Sequence, residues 1–373
     1  MIKVEKVSGN SDLKKFIDFP HLLYANDPNY VPELYVSQEE LLNPQKHPFH
    51  KHSKVDLFLA YKNNKVAGRI AAIRNDNHNS YNNTKDAFFG FFDTIDDFEV
   101  AGALFDKVVE WSKKEDLNNL IGPVNFSTNE TCGMLLNSFD LPPVVMMPYN
   151  KPYYNSFTEK YGFNKMTDLL AYIVKSDTYS DKSVKLLGQL EERLKQKNII
   201  IRCINKKDFD NEAKKVKEVY NSAWSKNLGF VPMTDAEFSH MAKDMKMIYD
   251  PELCYIAEYD GKMIGFSLSI PDLNQVLINI KRGRLFPTGY FKLLFNKNKI
   301  NGIRVITLGV IEGYRKLGIE ACFYAKTIET CLRKNIVYAE TSWILEHNEM
   351  MNAALVRINA EAYKRYRIYE LPL

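Results

Sequence analysis

A basic, glycine-containing turn near residue 315 carries the residue types best suited to chemistry in this chain. The apolar residues 305–311 are typical of a strand, and a helical pattern begins after Gly318. The first N–H groups of a helix lack partners within it and carry a partial positive charge, so such a turn can hold a pyrophosphate. Two cations add to that charge. We therefore expect a phosphate-binding turn made of Arg315, Lys316, Leu317, Gly318 and Ile319.

Two carboxylates downstream of this turn are candidates for accepting a proton. Glu340 lies within the next strand pattern and Glu346 near its end. A carboxylate at either place could deprotonate an ammonium group, directly or through water. Asn348 opens the following helix and could contact a ligand, although helix capping explains an asparagine there equally well. A solvated strand end is the alternative for the two glutamates, and the sequence leaves these interpretations open.

A cluster of small hydrogen-bonding side chains follows an apolar run in the first half of the chain, within residues 122–133. Loops that open from strand ends often contact ligands. The alternative is a turn whose side chains satisfy its own backbone, and the sequence favours neither. The residues expected to contact a substrate are Asn125, Ser127, Thr128, Asn129, Tyr149, Asn150 and Trp343.

The composition is that of an ordinary folded protein with a large core. The 373 residues are 45% hydrophobic, and this length favours two domains. A net charge of +4 is too mild to indicate a nucleic-acid partner. Five scattered cysteines without a C-x-x-C pair favour a reducing, cytoplasmic setting. No apolar run approaches the roughly 18 to 20 residues of a membrane span.

A metal site is not expected, although three histidines lie close together at His47, His50 and His52. Pro48 and the proline-rich context indicate an exposed turn instead, and no carboxylate completes a recognisable ligand spacing.

The order of predicted elements occurs twice along the chain. The first half is predicted to contain a helix at 12–25, a hairpin at 55–73, a strand at 87–92, a helix at 98–113, a strand at 120–126 and a short helix at 152–161. The second half is predicted to contain a strand at 199–203, helices at 208–224 and 234–249, a hairpin at 254–270 and the strand, turn and helix series around residue 315. This repetition predicts a tandem duplication of one α/β unit.

The predicted domains are residues 1–175 and 199–373. A lysine-rich stretch, 176–198, is expected to connect them and to include a solvated helix. Residues 274–301 are expected to form an irregular, basic insertion in the second domain.

This element order, with the residues of the second half, resembles the GCN5-related N-acetyltransferase (GNAT) family. The family's acyl-CoA signature, Arg/Gln-x-x-Gly-x-Gly/Ala, matches Arg315 and Gly318, while Glu320 stands at its last position. The family's later motif matches residues 348–355, with Leu355 where the family has a tyrosine general acid. Strings such as 16–34 also resemble an uncharacterised bacterial family of tandem GNAT proteins.

The first half resembles the same family less completely. Residues 150–163 match the later motif and end in the expected Gly162-Phe163. The phosphate turn does not match, because residues 93–99 contain four carboxylates, which would repel a pyrophosphate. The charge of this turn assigns the cofactor to the second half.

The resemblance implies an α/β (α+β) protein of two tandem GNAT-like folds, with mixed, mostly antiparallel sheets flanked by helices. It implies an N-acyltransferase that passes an acyl group from acetyl-CoA or another acyl-CoA to a small-molecule or peptide amine by direct attack. Val310 and Ile311 would pair with the pantetheine arm, and Asn348 would lie near the cofactor. Leu355 cannot protonate a thiolate, so Tyr363 or solvent would do so.

A catalytically inert ligand-binding or scaffold protein is the alternative, which Glu320 and Leu355 favour. The oligomeric state stays open.

Overall fold

The computed structural model describes residues 1–178, 185–224 and 229–373, which form two compact units. Unit 1 comprises Met1–Leu169, Asn274–Asn298 and Lys364–Leu373. Unit 2 comprises the described residues of Leu170–Leu273 and Lys299–Tyr363. The units are therefore not simple halves of the chain, since two segments from the second half belong to unit 1.

The strands, in chain order, are β1 (Ile2–Lys6), β2 (Lys54–Lys62), β3 (Lys65–Arg74), β4 (Asp86–Thr94), β5 (Asn119–Gly122), β6 (Met134–Leu135), β7 (Asn164–Lys175), β8 (Ile199–Cys203), β9 (Cys254–Tyr259), β10 (Lys262–Pro271), β11 (Gly302–Val310), β12 (Tyr338–Leu345) and β13 (Glu361–Pro372). In unit 1 the neighbours run β1-β2-β3-β4-β5-β13, and β6 pairs with β13. In unit 2 they run β7-β12-β11-β10-β9-β8. The pairs β4/β5 and β11/β12 are parallel, whereas the hairpins are antiparallel.

The α-helices of the described residues are α1 (Gly9–Leu23), α2 (Tyr35–Leu41), α3 (Asp76–Asn82), α4 (Phe98–Lys114), α5 (Tyr153–Tyr161), α6 (Leu187–Lys195), α7 (Phe209–Trp224), α8 (Asp235–Ile248), α9 (Asn274–Leu277), α10 (Tyr290–Asn296), α11 (Ile319–Arg333) and α12 (Glu349–Arg357). The fold class expected from the sequence, mixed and mostly antiparallel sheets flanked by helices, is confirmed. None of these helices is both long and apolar enough to cross a membrane.

The predicted hairpins form because their turns tolerate left-handed backbone. Asn63 and Asn64 have φ of 53° and 62°, and Asp260 and Gly261 have φ of 47° and 74°. Two successive positive φ values match the twist of the flanking strands. The β2/β3 and β9/β10 hairpins therefore start where the sequence places them.

Local signals also fix the longer helices. Asp97 caps α4 by accepting from the Glu99 N–H, and the buried stripe of α4 includes Leu104, Phe105 and Val108. Thr234 and Glu237 form a reciprocal capping box at the start of α8. Such caps satisfy N–H groups that the helix itself cannot.

Two expectations about local structure are wrong. The strand expected at 120–126 ends at Gly122, because Pro123 follows and has no N–H to continue a ladder. The insertion expected to be irregular contains α9 and α10. Residues 290–296 of this insertion have apolar side chains at helical spacing. The nearby Pro287 and Gly289, which usually interrupt helices, made this helical pattern hard to recognise in the sequence.

Candidate functional site

The parallel pair β11/β12 of unit 2 separates partway along its length. Pairing begins with Gly302 opposite Tyr338 and ends with Val305 opposite Thr341. β11 continues to Val310 and β12 to Leu345. A one-residue bulge in β11 follows Val305, since the β10 register skips one residue there. Two strand edges that diverge in this way form a cleft in which an extended ligand can pair with main-chain groups.

A buried polar cluster lies at the closed end of this cleft. Arg304 stands opposite Glu340 in the strand register, and both side chains are buried. Arg304 Nε donates to Ser342 Oγ at 3.0 Å, and its Nη2 donates to the Ser342 carbonyl at 3.3 Å. Ser342 Oγ in turn donates to Glu340 Oε1 at 2.7 Å. Charges are tolerated in a protein interior when hydrogen bonds of this kind satisfy them.

Tyr363 is a more accessible side chain that bonds to this cluster. Its hydroxyl donates to Glu340 Oε2, and its side chain is half-buried whereas Glu340 is fully buried. The structure therefore brings together two residues that the sequence predicted separately. A ligand in unit 2 would meet the Tyr363 hydroxyl before the enclosed carboxylate.

Trp343 contacts the same cluster through Arg304, whose guanidinium carbon lies 4.9 Å from the centre of the Trp343 ring. The Trp343 Nε1–H is buried and has no hydrogen-bond partner among the described residues. An unsatisfied buried donor is unfavourable, and a bound ligand could satisfy it. Sequence reasoning missed Arg304; its signal was a lone cation inside an apolar strand, which requires a buried partner.

Glu346 and Asn348 lie beyond the end of β12, away from the cluster. Six residues of extended chain separate Glu346 from Glu340, or roughly 20 Å. The Glu346 carbonyl accepts from Asn352 Nδ2 at 3.1 Å. Asn348 Oδ1 accepts from the Met351 N–H at 3.2 Å, so Asn348 is the cap of α12. The capping alternative that the sequence left open is the contact observed.

The Arg315 side chain binds main-chain carbonyls of unit 2. Its Nε donates to Val310 O and its Nη2 to Ala223 O, both at 3.0 Å. The Ile311 N–H donates to Ile264 O at 2.9 Å. Val310 and Ile311, which the sequence predicted would pair with the pantetheine arm, thus form main-chain hydrogen bonds within the protein instead. An arm pairing with Val310 O has to share this oxygen with the Arg315 guanidinium.

The start of α11 has the backbone geometry of an anion site. Gly318 is its N-cap with φ of 101°, and no side chain caps the helix. Lys316 is exposed and has φ of 65°. Uncapped N–H groups and an exposed cation favour a phosphate group, whereas Glu320 in the first turn opposes one.

Leu355, at the position where the family motif has a tyrosine, lies in the core of unit 2. It is fully buried in an apolar cluster with Tyr172, Val174, Ile344 and Ala360. A hydrocarbon side chain in this core cannot donate a proton.

An apolar cleft that is open to solvent lies in unit 2 between α11 and the strands. Its lining includes Val305, Thr341, Ser267, Ala339, Ile328 and Tyr324. Val305 and Thr341 are the last paired residues of β11/β12, so this apolar cleft begins where the strands separate.

Burial keeps two titratable groups of the apolar cleft, Cys331 and Tyr324, neutral, whereas Lys175, which also lines it, is exposed. Burial raises the pKa of the Cys331 thiol to about 12 and also raises the pKa of the Tyr324 hydroxyl. The buried Ser267 hydroxyl has no hydrogen-bond partner among the described residues. Apart from Lys175, the lining therefore suits an uncharged, mainly hydrocarbon ligand.

The corresponding separation in unit 1 is filled by the chain itself. β4 and β5 pair in parallel from Asp86/Asn119 to Phe88/Ile121. Beyond that point the Val124 N–H donates to Phe89 O at 2.8 Å, and the Phe91 N–H donates to Asn125 Oδ1 at 2.8 Å. A Cβ on Gly90 would lie 2.3 Å from Val124 O, so no space remains for a ligand arm.

The other residues expected to contact a substrate in unit 1 mostly serve local structure. Asn150 exchanges hydrogen bonds with both main-chain groups of Leu135, and Tyr149 donates to Phe139 O at 2.8 Å. Ser127 Oγ accepts from the Asn129 N–H at 3.2 Å, and Thr128 is exposed. These contacts match the alternative of side chains satisfying their own backbone.

The acidic turn of unit 1 is less negative than its sequence indicates. Asp93 is buried and accepts from Arg69 Nε at 2.8 Å. Asp97 pairs with Lys62, which lowers the pKa of that carboxyl. The close packing of Gly90 against Val124 therefore blocks a ligand arm more directly than charge repulsion does.

The histidine-rich turn is packed rather than exposed, which corrects the sequence expectation. His47 is buried, and the His50 ring lies 5.1 Å from the Phe126 ring. Among the described residues, no group of three or more His, Cys, Asp or Glu side chains is arranged to hold a metal ion.

No family model matches the chain. It is 37% identical over 369 residues to Protein YghO of Escherichia coli K12, covering 96% of this chain and 93% of that protein. It is 31% identical over 380 residues to a protein of Caulobacter vibrioides named bacterial ceramide synthase, covering 100% of this chain and 98% of that protein.

Solved structures share the fold at low sequence identity. A tandem GNAT protein from the clavulanic acid biosynthesis pathway matches with a TM-score of 0.61 and 13% identity, over 100% of this chain and 98% of that one. A GNAT structure from Sphaerobacter thermophilus matches with a TM-score of 0.54 and 11% identity, over 100% and 95% of the two chains.

Proposed function

The chain belongs to the tandem GNAT family, and on that premise we propose that it is an acyl-CoA-dependent N-acyltransferase acting on a long-chain amine. Unit 2 carries the reaction, and unit 1 binds no acyl-CoA because its own loop fills the equivalent cleft. The observation that carries the proposal is the 31% identity, along the whole chain, to the protein named bacterial ceramide synthase. A ceramide is the amide of a fatty acid with a long-chain amino alcohol.

The apolar cleft supports a long hydrocarbon chain as part of the substrate. It adjoins the last paired residues of β11/β12, and its buried lining groups are neutral. Burying a hydrocarbon chain is favourable by roughly 0.8 kcal/mol per CH₂. An acetyl group would use almost none of this surface, so we infer that a long acyl chain occupies it.

The acyl-CoA would be held by the start of α11 and by the separated edges of β11 and β12. The N–H groups at Ile319 and the exposed Lys316 suit its pyrophosphate. Bound there, the co-substrate supplies the activated acyl group as a thioester.

The cluster at the closed end of the cleft would handle the proton. In the transfer, the ammonium first loses one proton to solvent. The neutral amine nitrogen then bonds to the thioester carbon, the carbon–sulfur bond breaks, the nitrogen gives up a second proton, and the leaving thiolate takes up one proton. Tyr363 is the accessible hydroxyl that can donate to the leaving sulfur, and Glu340 and Ser342 hold it in place. Glu340 thus acts on the reaction through Tyr363, as a positioning residue.

The test is acylation of sphinganine by the purified chain, with acetyl-CoA and palmitoyl-CoA compared as donors. We expect thiol release and N-palmitoyl sphinganine by mass spectrometry, with palmitoyl-CoA strongly preferred. Ala339→Phe, which narrows the apolar cleft, should reduce turnover of palmitoyl-CoA more than that of a short-chain donor. Val356→Phe adds the same ring at an exposed position of α12 and is the matched control. Absence of thiol release with every donor and amine would refute the proposal.

A catalytically inert acyl-CoA-binding protein is the second candidate. The buried Leu355, which cannot supply an acid, favours it. Under that hypothesis acyl-CoA raises the melting temperature, but no thiol is released. Thermal shift and thiol release measured on the same samples distinguish the two candidates.

A further inference from the structure

A basic segment rich in exposed aromatic rings interrupts the second half of the chain. It is defined here as residues 281–297, and it belongs to unit 1. It contains five Lys or Arg residues and no Asp or Glu. Acidic residues are also absent from the whole stretch 273–311, whereas the chain as a whole is nearly balanced, with 50 basic and 46 acidic residues.

Large apolar side chains of this basic segment face solvent. Phe286 is 81% exposed, Phe295 is 69% exposed and Phe291 is 55% exposed. Tyr290 and Leu294 are also exposed. The Phe291 and Phe295 rings lie one helical turn apart on α10, 6.3 Å between centroids. A group of large exposed apolar side chains within one short segment is typical of an interaction surface.

The exposure of these rings is maintained by contacts that fix the basic segment onto unit 1. Arg284 lies over the Tyr35 ring at 4.0 Å and bonds to Asp18 at 3.2 Å. Gly283 has φ of 63°, and a Cβ there would lie 1.8 Å from Glu33 O. Asn274, just before the segment, donates to Pro143 O at 2.8 Å. The chain is thus held at its base while the rings of α10 remain outward.

We propose that the basic segment docks the protein onto the surface of an anionic lipid membrane. Phenylalanine, tyrosine and leucine side chains insert at the boundary of headgroups and acyl chains, and the cations meet the lipid phosphates. Charge complementarity requires an anionic surface, since no carboxylate lies within the basic segment. Leu294 cannot stack on a nucleobase, which favours lipid over single-stranded nucleic acid.

The cations of the basic segment are placed to meet lipid headgroups while its rings insert. Lys281, Arg282 and Lys297 are exposed at its two ends. Lys292 lies on α10 between the rings and donates to Asn279 O at 2.6 Å. Cations flanking an apolar helix face are typical of helices that lie in the membrane interface.

The experiment is co-sedimentation of the full chain with vesicles of phosphatidylglycerol and phosphatidylcholine, compared with vesicles of phosphatidylcholine alone. We expect binding to the anionic vesicles that weakens as salt is added. Because ring burial contributes strongly to insertion, the triple variant F286S/F291S/F295S should lower the partition coefficient by at least about tenfold. K281Q/R282Q/K297Q should weaken binding to anionic vesicles by about tenfold or more and flatten the salt dependence.

The matched control replaces three exposed apolar residues elsewhere, Met247→Ser, Met350→Ser and Val356→Ser, which are 75%, 68% and 61% exposed. This control should bind vesicles as the unaltered chain does. Circular dichroism melts verify that each variant folds. Equal vesicle binding by the F286S/F291S/F295S variant, or no binding of the unaltered chain to anionic vesicles, would overturn the proposal.

Two further outcomes identify another occupant and also overturn it. Analytical ultracentrifugation showing a dimer that the F286S/F291S/F295S variant abolishes, without vesicle binding, would assign the patch to a second copy. A gel shift with polyuridine RNA that is lost in the K281Q/R282Q/K297Q variant, again without vesicle binding, would assign it to nucleic acid. Vesicle binding is measured without acyl-CoA, so the result is independent of the proposed acyl transfer.

Discussion

The hydrogen bond between Tyr363 and Glu340 is the contact in unit 2 whose removal is most informative. Tyr363→Phe deletes only the hydroxyl and leaves one oxygen of a fully buried carboxylate without its donor. A hydrogen bond to a charged group contributes about 1.5 to 3 kcal/mol to stability. We therefore expect the free energy of unfolding of Tyr363→Phe to fall by about 2 kcal/mol, which urea denaturation measures directly.

The pairing itself is tested by a double-mutant cycle with Glu340→Gln. If the contact stabilises the fold as described, the two single losses should exceed the double loss by about 1 kcal/mol or more. Tyr259→Phe is the control, because Tyr259 is also half-buried in unit 2, where its ring packs 5.4 Å from that of Tyr314. That change should cost less than about 0.5 kcal/mol.

Kinetics separate a role in the reaction from a role in stability. If Tyr363 donates the proton to the leaving sulfur, Tyr363→Phe should lower kcat by about a hundredfold or more while leaving KM for acyl-CoA nearly unchanged. Additive unfolding energies together with an unchanged kcat would refute both the hydrogen bond and the proton role.

Three further predictions concern the supporting structure. Arg69→Met leaves the buried Asp93 carboxylate without its ion-pair partner, so the free energy of unfolding should fall by about 3 to 5 kcal/mol in urea; a loss below about 1 kcal/mol would contradict this pairing. Gly90→Ala places a Cβ 2.3 Å from Val124 O, and thermal melts should show a destabilisation that Gly102→Ala, with nothing within 4 Å, does not share. Although burial opposes it, the hydrogen bonds from Arg202 to the Glu212 carboxylate hold the pKa of that carboxyl below its usual 4.5. Glu212 therefore adds stability above about pH 4.5 that is lost as pH falls through the folded pKa, and the stability difference between the unaltered chain and Arg202→Gln should shrink in urea titrations below that pH.

Hairpins and long helices were predictable because their signals are local. Asn63-Asn64 and Asp260-Gly261 adopt the positive φ values that their residue types permit. The spacing of Leu104 and Val108 gives α4 its buried stripe. By contrast, β7 and α3 were not predicted, because β7 lies in a continuous apolar run and α3 has no buried face.

The candidate site was predictable only in part. Glu340 and Tyr363 could be named as separate candidates, but their contact depends on β12 and the start of β13 meeting in unit 2. The sequence assigned Arg315 to a phosphate, yet the fold gives its guanidinium two nearby carbonyl acceptors. A charged side chain binds the partners that the tertiary structure places within reach, and these partners cannot be identified from spacing in the sequence.

By itself, the amino-acid sequence determined the repeated order of strands and helices, the glycine-containing turn before α11 and the absence of an acid at Leu355. Each of these features depends only on residue type or on neighbours a few positions away. Only the tertiary structure decided that the cleft of unit 1 is filled by Val124 and Asn125, that Arg304, Glu340 and Tyr363 share one buried cluster, and that the rings of residues 281–297 face solvent. These outcomes depend on which distant segments come into contact, and burial, hydrogen bonding and exposure are properties of those contacts.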